Sequence, residues 1–127
     1  MSQATLRLPA AADQARTARL VASTAARRAG VQDDQLDDIR LVVGEAIALS
    51  VHRARQVEDV GEITVTMTDG GDRFSVSVTD NLTGLADHDD DEAGFSLQVI
   101  RALAPESEIV QDGSGLQTVS LSWPVAT

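Results

Sequence analysis

Hydrophobic residues recur along the chain with two periods, which divide it into strands and helices. Apolar and polar residues alternate over residues 62–68 and 73–79, and the segment Asp69-Gly-Gly-Asp72 joins the two runs. This pattern predicts a β-hairpin. Shorter alternating runs predict three more strands, at residues 5–8, 108–111 and 117–123.

Three other segments have the three- and four-residue spacing of helices. Residues 11–29 place alanines on one face and end at Gly30, and residues 95–103 end before Pro105. Between them, a helix should begin near Asp33 or Asp34. We expect its start to be capped and its dipole to be matched by Asp33, Asp34, Asp37 and Asp38, and its other end to be matched by His52, Arg53 and Arg55. This middle helix is apolar nearly all round, as expected for one that lies beneath other elements.

The order of these elements, β-α-α-β-β-loop-α-β-β, predicts an α+β fold. We expect a two-layer α/β sandwich in which helices cover one face of a mostly antiparallel sheet. A chain of 127 residues with 43% hydrophobic content suits a single domain over residues 1–127.

Charge and composition exclude several classes of function. The net charge of −10 opposes binding to nucleic acid through phosphate contacts. The N-terminus lacks the apolar run of a signal peptide, and the most apolar stretch is about half the length of a membrane span, so we expect a cytoplasmic location. Arg16, Arg19 and Arg27 form a basic stripe on the first helix, which is either solvated surface or, at Arg16 and Arg19, a partner-binding site.

Residues 38–51, with the sequence Asp-Ile-Arg-Leu-Val-Val-Gly-Glu-Ala-Ile-Ala-Leu-Ser-Val, resemble the first ATP-site helix of the GHKL ATPases. The resemblance is closest to bacterial anti-sigma factors and switch kinases. It continues at Asp80 after a strand, at Gly84 in the next loop and at Gly94 before the lid helix. It implies that Glu45 is the general base that activates a partner's serine, and the alternative is a structural role in which Glu45 is partly buried and paired with an arginine. It also implies that Asp80 binds the adenine amino group and that the two glycines belong to loops around the nucleotide.

Three positions in this resemblance carry residues unsuited to a nucleotide. Leu49 stands where the family has the asparagine that binds magnesium, and leucine has no atom to coordinate a cation. Leu82 replaces the first glycine of the Asp-x-Gly-x-Gly motif, and Glu92 replaces the first glycine of the lid motif, beside the acidic run at residues 87–91. We therefore expect no cofactor and no metal, with ATP and magnesium binding only if the altered pocket still functions.

Two features of the sequence, its pair of histidines and its run of aspartates, suggest metal binding as an alternative. His52 and His88 do not form a recognisable ligand pair, and surface histidines are the simpler interpretation. The run Asp87-x-Asp89-x-Asp91 repeats the opening of a calcium loop. However, Glu92 replaces its required glycine, and Gln98 replaces its terminal glutamate. A solvated loop is the better interpretation.

The resemblance implies a regulator that works by protein–protein contact. We expect it to bind a sigma factor, a STAS-type anti-sigma antagonist or both without depending on ATP, with Arg16 and Arg19 in the partner-binding surface. One alternative is an active ATP-dependent serine kinase of a partner-switching system that uses Glu45 as its base. Another is a non-catalytic subunit that pairs with an intact relative, and the family also implies that a homodimer can form.

Overall fold

The computed structural model describes residues 2–58, 61–82, 91–113 and 116–125, excluding the side chains of residues 91–93. Its centre is a five-stranded antiparallel sheet with the strand order β1-β2-β3-β5-β4. The chain runs through the elements in the following order: β1 (Ser2–Pro9), α1 (Ala15–Ala29), α2 (Asp33–Gln56), β2 (Glu62–Asp69), β3 (Arg73–Asp80), α3 (Asp91–Leu103), β4 (Glu108–Gln111) and β5 (Gln117–Pro124). The predicted α+β fold is confirmed.

The boundaries of two helices differ from the prediction. Helix α1 begins later than expected, because Ala12–Gln14 form a separate 3-10 turn before it. Helix α3 begins four residues earlier than expected, at Asp91, so that Gly94 lies inside its first turn. Among the described residues, no helix is long and apolar enough to cross a bilayer.

The ends of α1 and α2 test the predicted capping residues. Gly30 ends α1 in the left-handed conformation, with a φ of 98°, and its N–H donates to the carbonyls of Ala26 and Arg27. The residue that caps α2 is Gln32, which makes no side-chain capping bond. The prediction that Asp33 or Asp34 caps α2 is therefore wrong, although both lie in the first turn, where negative charge suits the helix dipole.

The core lies between the sheet and the helices. Alternate residues of β2, β3 and β5 point inward and are buried, as period-two alternation requires. Ala18, Ala22 and Ala26 have no solvent exposure, and their small side chains let α1 pack closely against the rest of the core. Helix α2 is buried on the sheet side through Ile39, Val43 and other apolar residues.

No helix of the described residues covers the opposite face of the sheet, which we call the hydroxyl face. Its positions on β2, β3 and β5 are serine or threonine except at the strand ends, where Glu62, Arg73 and Pro124 also face outward. The serines and threonines are Thr64, Thr66, Thr68, Ser75, Ser77, Thr79, Thr118, Ser120 and Ser122. They pair in rows across the strands, for example Thr66 with Ser77 and Ser77 with Ser120. Because these side chains are short and uncharged, the centre of the face is flat and carries no charge.

Candidate functional site

Asp80, the last residue of β3, points into the core and is 1% exposed. Its Oδ2 accepts hydrogen bonds from Nε of Arg53 at 2.9 Å and from Oγ of Ser50 at 3.2 Å. Its Oδ1 accepts from Nη2 of Arg53 at 3.3 Å and from the N–H of Leu82 at 3.2 Å. Two donors therefore serve each oxygen of this carboxylate.

Helix α2 supplies the cation in this cluster. Ser50 and Arg53 lie three residues apart, so both face the end of β3. The planar guanidinium binds a carboxylate through two nitrogens at once, and burial strengthens these charge-assisted hydrogen bonds. Arg53 also donates from Nη2 to the carbonyl of Leu82 at 3.2 Å. It therefore joins α2 both to the end of β3 and to the residues that follow.

Asp80 is the residue to which the resemblance assigns recognition of the adenine amino group. A carboxylate offers about four lone-pair positions. Four donors of this chain already point at those of Asp80. An adenine amino group could bind this carboxylate only by displacing one of them.

Two leucines occupy the motif positions that the sequence marked as unsuited to a nucleotide, Leu82 beside Asp80 and Leu49 in the lining of the pocket that also holds Glu45. Leu49 and Leu82 are both 1% exposed and belong to the hydrophobic core. Leu82 packs against Gly61, whose φ of 62° and lack of a side chain leave room for it, since a Cβ on Gly61 would overlap Leu82. Neither leucine offers an oxygen or nitrogen of its side chain to a ligand.

Glu45 lies in a separate, open part of the molecule. It is half-buried and lines a pocket of about 500 Å³ between the start of α1, α2 and the start of α3. The hydroxyl of Ser96 donates to its Oε2 at 2.6 Å. The sequence suggested an arginine as the partner of a structural Glu45, whereas in the described part of the chain the hydrogen-bond partner is Ser96.

Arg19 lines the same pocket as Glu45, together with His52, Arg55 and Phe95. Its guanidinium lies on the backbone of Gly44, where a Cβ would overlap it. The structure thus brings Arg19 and Glu45 to one pocket. Arg16 is exposed on α1 but does not belong to the lining of this pocket, and a partner-binding role for both arginines stays a prediction.

The remaining predicted site residues fall in or beside the acidic segment. Gly94 lies in α3, and a Cβ built on it would meet no atom within 4 Å, so space does not require glycine there. Gly84, His88 and the rest of residues 83–90 lie outside the described residues, as do the side chains of Asp91 and Glu92. The predicted role of Gly84 and the interpretation of the acidic run as a solvated loop therefore remain predictions.

Sequence reasoning missed the residues that hold the two carboxylates. It assigned Arg53 only to the favourable end of the helix dipole and gave no role to Ser50 or Ser96. One signal was present, because alternation along β3 places Asp80 on the same buried face as Val78. A buried carboxylate needs a cation or several donors, and a buried arginine on α2 supplies both.

Comparisons with known proteins show the family and the fold of this chain. Residues 8–123 match the histidine kinase-like ATPase domain family. "Serine-protein kinase RsbW" of Listeria monocytogenes serotype 4a (strain HCC23) is 42% identical over 79 residues, which cover 62% of this chain and only 50% of that relative. The protein of the same name from Staphylococcus aureus (strain MRSA252) is 28% identical over 134 positions, which cover 92% of this chain and 83% of the relative.

A solved structure has the same fold. The crystal structure of the RsbU and RsbW domains of Rv1364c from Mycobacterium tuberculosis matches with a TM-score of 0.72 at 23% identity. The match covers 98% of this chain and 33% of that one. The family match alone spans most of the sequence, from the end of β1 to the end of β5. The chain therefore belongs to the histidine kinase-like ATPase domain family.

Proposed function

We propose that this chain is an anti-sigma-factor-like regulator with a degenerate nucleotide pocket. It binds a sigma factor, a STAS-type antagonist or both through protein–protein contacts that do not require ATP. The observation that carries this proposal is the engagement of Asp80 by Arg53, Ser50 and the N–H of Leu82. Because donors of the chain itself already bind the carboxylate of Asp80, no nucleotide is needed to satisfy this buried group.

Magnitudes favour the pair of Arg53 and Asp80 over an adenine hydrogen bond that would replace it. Separating a buried arginine from its carboxylate costs about 3–5 kcal/mol, because a charge is left without a partner. A hydrogen bond from adenine to a charged acceptor contributes only about 1.5–3 kcal/mol of stabilising free energy. Leu49 also offers magnesium no oxygen ligand, although magnesium requires a nearly complete octahedron of them.

The helical surface around Arg19 supports a protein partner. Leu20 is 65% exposed and Phe95 is 62% exposed, both far more than a core residue. Arg16 and Arg19 place positive charge on this side of a molecule whose net charge is −10. Such a local reversal of charge orients an acidic or mixed-charge partner during association.

Calorimetry tests whether the chain binds ATP with magnesium. We expect no binding of ATP with magnesium to the wild-type chain in the micromolar range. The combined variant Arg53→Ala, Leu49→Asn, Leu82→Gly and Glu92→Gly should bind measurably, if it remains folded by circular dichroism. A low-micromolar dissociation constant for the wild type would contradict the proposal.

Partner binding needs its own experiment. The chain is used to capture its sigma factor or antagonist from the native cell, and association with the purified partner is then timed. Arg16→Glu with Arg19→Glu should slow association, because the favourable long-range attraction becomes repulsion. Arg28→Glu with Arg101→Glu is the matched control, since these two arginines are exposed and lie outside the basic stripe. Equal effects of the two pairs would remove the Arg16 and Arg19 surface from the proposal.

One observation favours the serine kinase as a second candidate. Glu45 lines an open pocket rather than the closed cluster around Asp80, so a serine of a partner protein could reach its carboxylate. The RsbW relatives carry the name of serine-protein kinases. In this alternative, Glu45 would accept the proton of the partner's hydroxyl as a general base.

A further inference from the structure

Another cavity lies at the opposite end of α1 from the Glu45 pocket. It has a volume of about 370 Å³, and its walls come from the last turns of α1, the start of β1, the end of β2 and the start of β3. The lining includes Arg28, Met67, Asp69 and Phe74. Small-molecule sites have volumes of about 300–1,000 Å³, and this cavity lies near the lower end of that range. It therefore suits a small molecule rather than a folded partner.

Two opposite charges line this cavity. Arg28 lies in the last turn of α1, and Asp69 is the last residue of β2, on the same face of the strand as the buried Met67. In the part of the chain that the structure describes, neither Arg28 nor Asp69 belongs to an ion pair. Oδ1 of Asp69 accepts a hydrogen bond from the N–H of Gly71 at 3.0 Å, which orients the carboxylate. Its second oxygen, Oδ2, can therefore accept a hydrogen bond from a ligand.

The floor of the cavity is apolar. Met67 is 3% exposed and Phe74 is 1% exposed, and both lie on the helix-facing side of the sheet. Ala25 and Ala29, which are half-buried, line the wall that α1 provides. Because alanine side chains are small, they leave room for a ligand against Met67 and Phe74. The cavity thus combines a cation, an anion and an apolar floor.

We propose that this cavity binds a free α-amino acid with an apolar side chain. The guanidinium of Arg28 binds its α-carboxylate, since the planar fork of arginine matches a carboxylate. Oδ2 of Asp69 accepts a hydrogen bond from its α-ammonium, and its side chain lies on Met67 and Phe74. Both charges favour a zwitterion, because a simple anion would be repelled by Asp69 and a simple cation by Arg28. The proposal uses no residue of the candidate functional site, so it is independent of the proposed function.

Calorimetry with L-leucine, L-methionine and L-phenylalanine measures this binding. At least one of these probes should bind the wild type saturably, with a dissociation constant of about 1 mM or tighter. The single tryptophan reports the place of binding, because Trp123 pairs with Phe74 across β5 and β3 on the helix-facing side of the sheet. Saturation of the probe should therefore change the fluorescence of Trp123 with the same dissociation constant.

Analogues of the tightest-binding probe test each charge separately. Its amide lacks the carboxylate and its N-acetyl derivative lacks the ammonium, so each should bind about tenfold or more weakly, because each loses a charge-assisted hydrogen bond. Arg28→Gln should weaken the amino acid about tenfold and leave the amide bound no more weakly than by the wild type. Asp69→Asn keeps an oxygen for the N–H of Gly71, and it should act in the same way on the N-acetyl derivative. Arg27→Gln is the matched control, since Arg27 is the neighbouring exposed arginine and lies outside the lining.

Thermal unfolding shows whether each variant is folded. Arg28 is exposed, so its replacement should leave the melting temperature nearly unchanged. If Asp69→Asn proves unstable, the N-acetyl derivative tests the same contact on the wild type without a substitution. Absence of saturable binding for all three amino acids, equal affinities for an amino acid and its two analogues, or equal losses in Arg28→Gln and Arg27→Gln would each overturn the proposal.

Discussion

Replacing Arg53 by methionine should destabilise the fold far more than the loss of one surface charge would. The side chains of Arg53 and Asp80 are 3% and 0% exposed, so the remaining carboxylate would stay buried. Methionine keeps a long unbranched apolar side chain, and the change therefore removes mainly the guanidinium. Asp80 would retain Ser50 and the N–H of Leu82 as donors, and it would lose both nitrogens of Arg53.

The expected magnitude follows from the burial of the pair. Breaking a buried ion pair from one side costs about 3–5 kcal/mol. Unfolding entropy of about 2.1 cal/mol/K per residue gives about 0.27 kcal/mol/K for a chain of 127 residues. The melting temperature should therefore fall by about 11 to 19 °C.

Thermal and urea unfolding followed by circular dichroism measure this effect. Arg40→Met is the matched control, because its 2.8 Å pair with Asp37 joins side chains that are 40% and 86% exposed. An exposed helical pair contributes about 0.5 kcal/mol or less. Combining Arg53→Met with Asp80→Asn should cost less than the sum of the single changes, since no charge is then stranded. Equal losses of stability for Arg53→Met and Arg40→Met would refute the reasoning.

Two further predictions concern the other polar groups of the core and pocket. The wild-type chain should transfer no phosphate from labelled ATP to a purified partner, and the Glu45→Gln variant should bind that partner as well as the wild type does. If the wild type does transfer phosphate, and the rate falls about 10²- to 10⁴-fold in Glu45→Gln, the result would favour the kinase alternative. Gln117→Leu should leave the free energy of unfolding unchanged or raise it by about 1–2 kcal/mol, because Nε2 of the 1% exposed Gln117 has no hydrogen-bond partner in the described part of the chain, and its Oε1 accepts only a long 3.4 Å bond from Gln111. Chemical denaturation decides this second case, and a loss of more than about 2 kcal/mol would show that the Gln117 amide is better satisfied than these contacts indicate.

The regular pattern of the sequence was sufficient to predict the layout of the fold. Strand alternation and turn residues located the hairpin of β2 and β3 to within one residue of each outer end. Gly30 located the end of α1, since a positive φ is easily adopted only by glycine. These features depend on neighbours in sequence, and local rules therefore predict them.

The site could be predicted only in part, because its contacts join distant parts of the chain. Arg53 and Asp80 are 27 residues apart, and Glu45 and Ser96 are 51 apart. A helical pattern shows that Arg53 lies near the end of α2, but not that the packing of α2 on β3 buries it. The resemblance located Asp80 and Glu45 by position. Their donors required the three-dimensional structure.

A buried ion pair also restricts the order in which substitutions can accumulate during evolution. Loss of Arg53 first leaves a stranded carboxylate, and loss of Asp80 first leaves a stranded guanidinium. Either step removes about 3–5 kcal/mol from a total stability that is only about 5–15 kcal/mol for a typical domain. A lineage that has acquired this pair therefore tends to keep it, and it can exchange either member only after stabilising substitutions have appeared elsewhere in the fold.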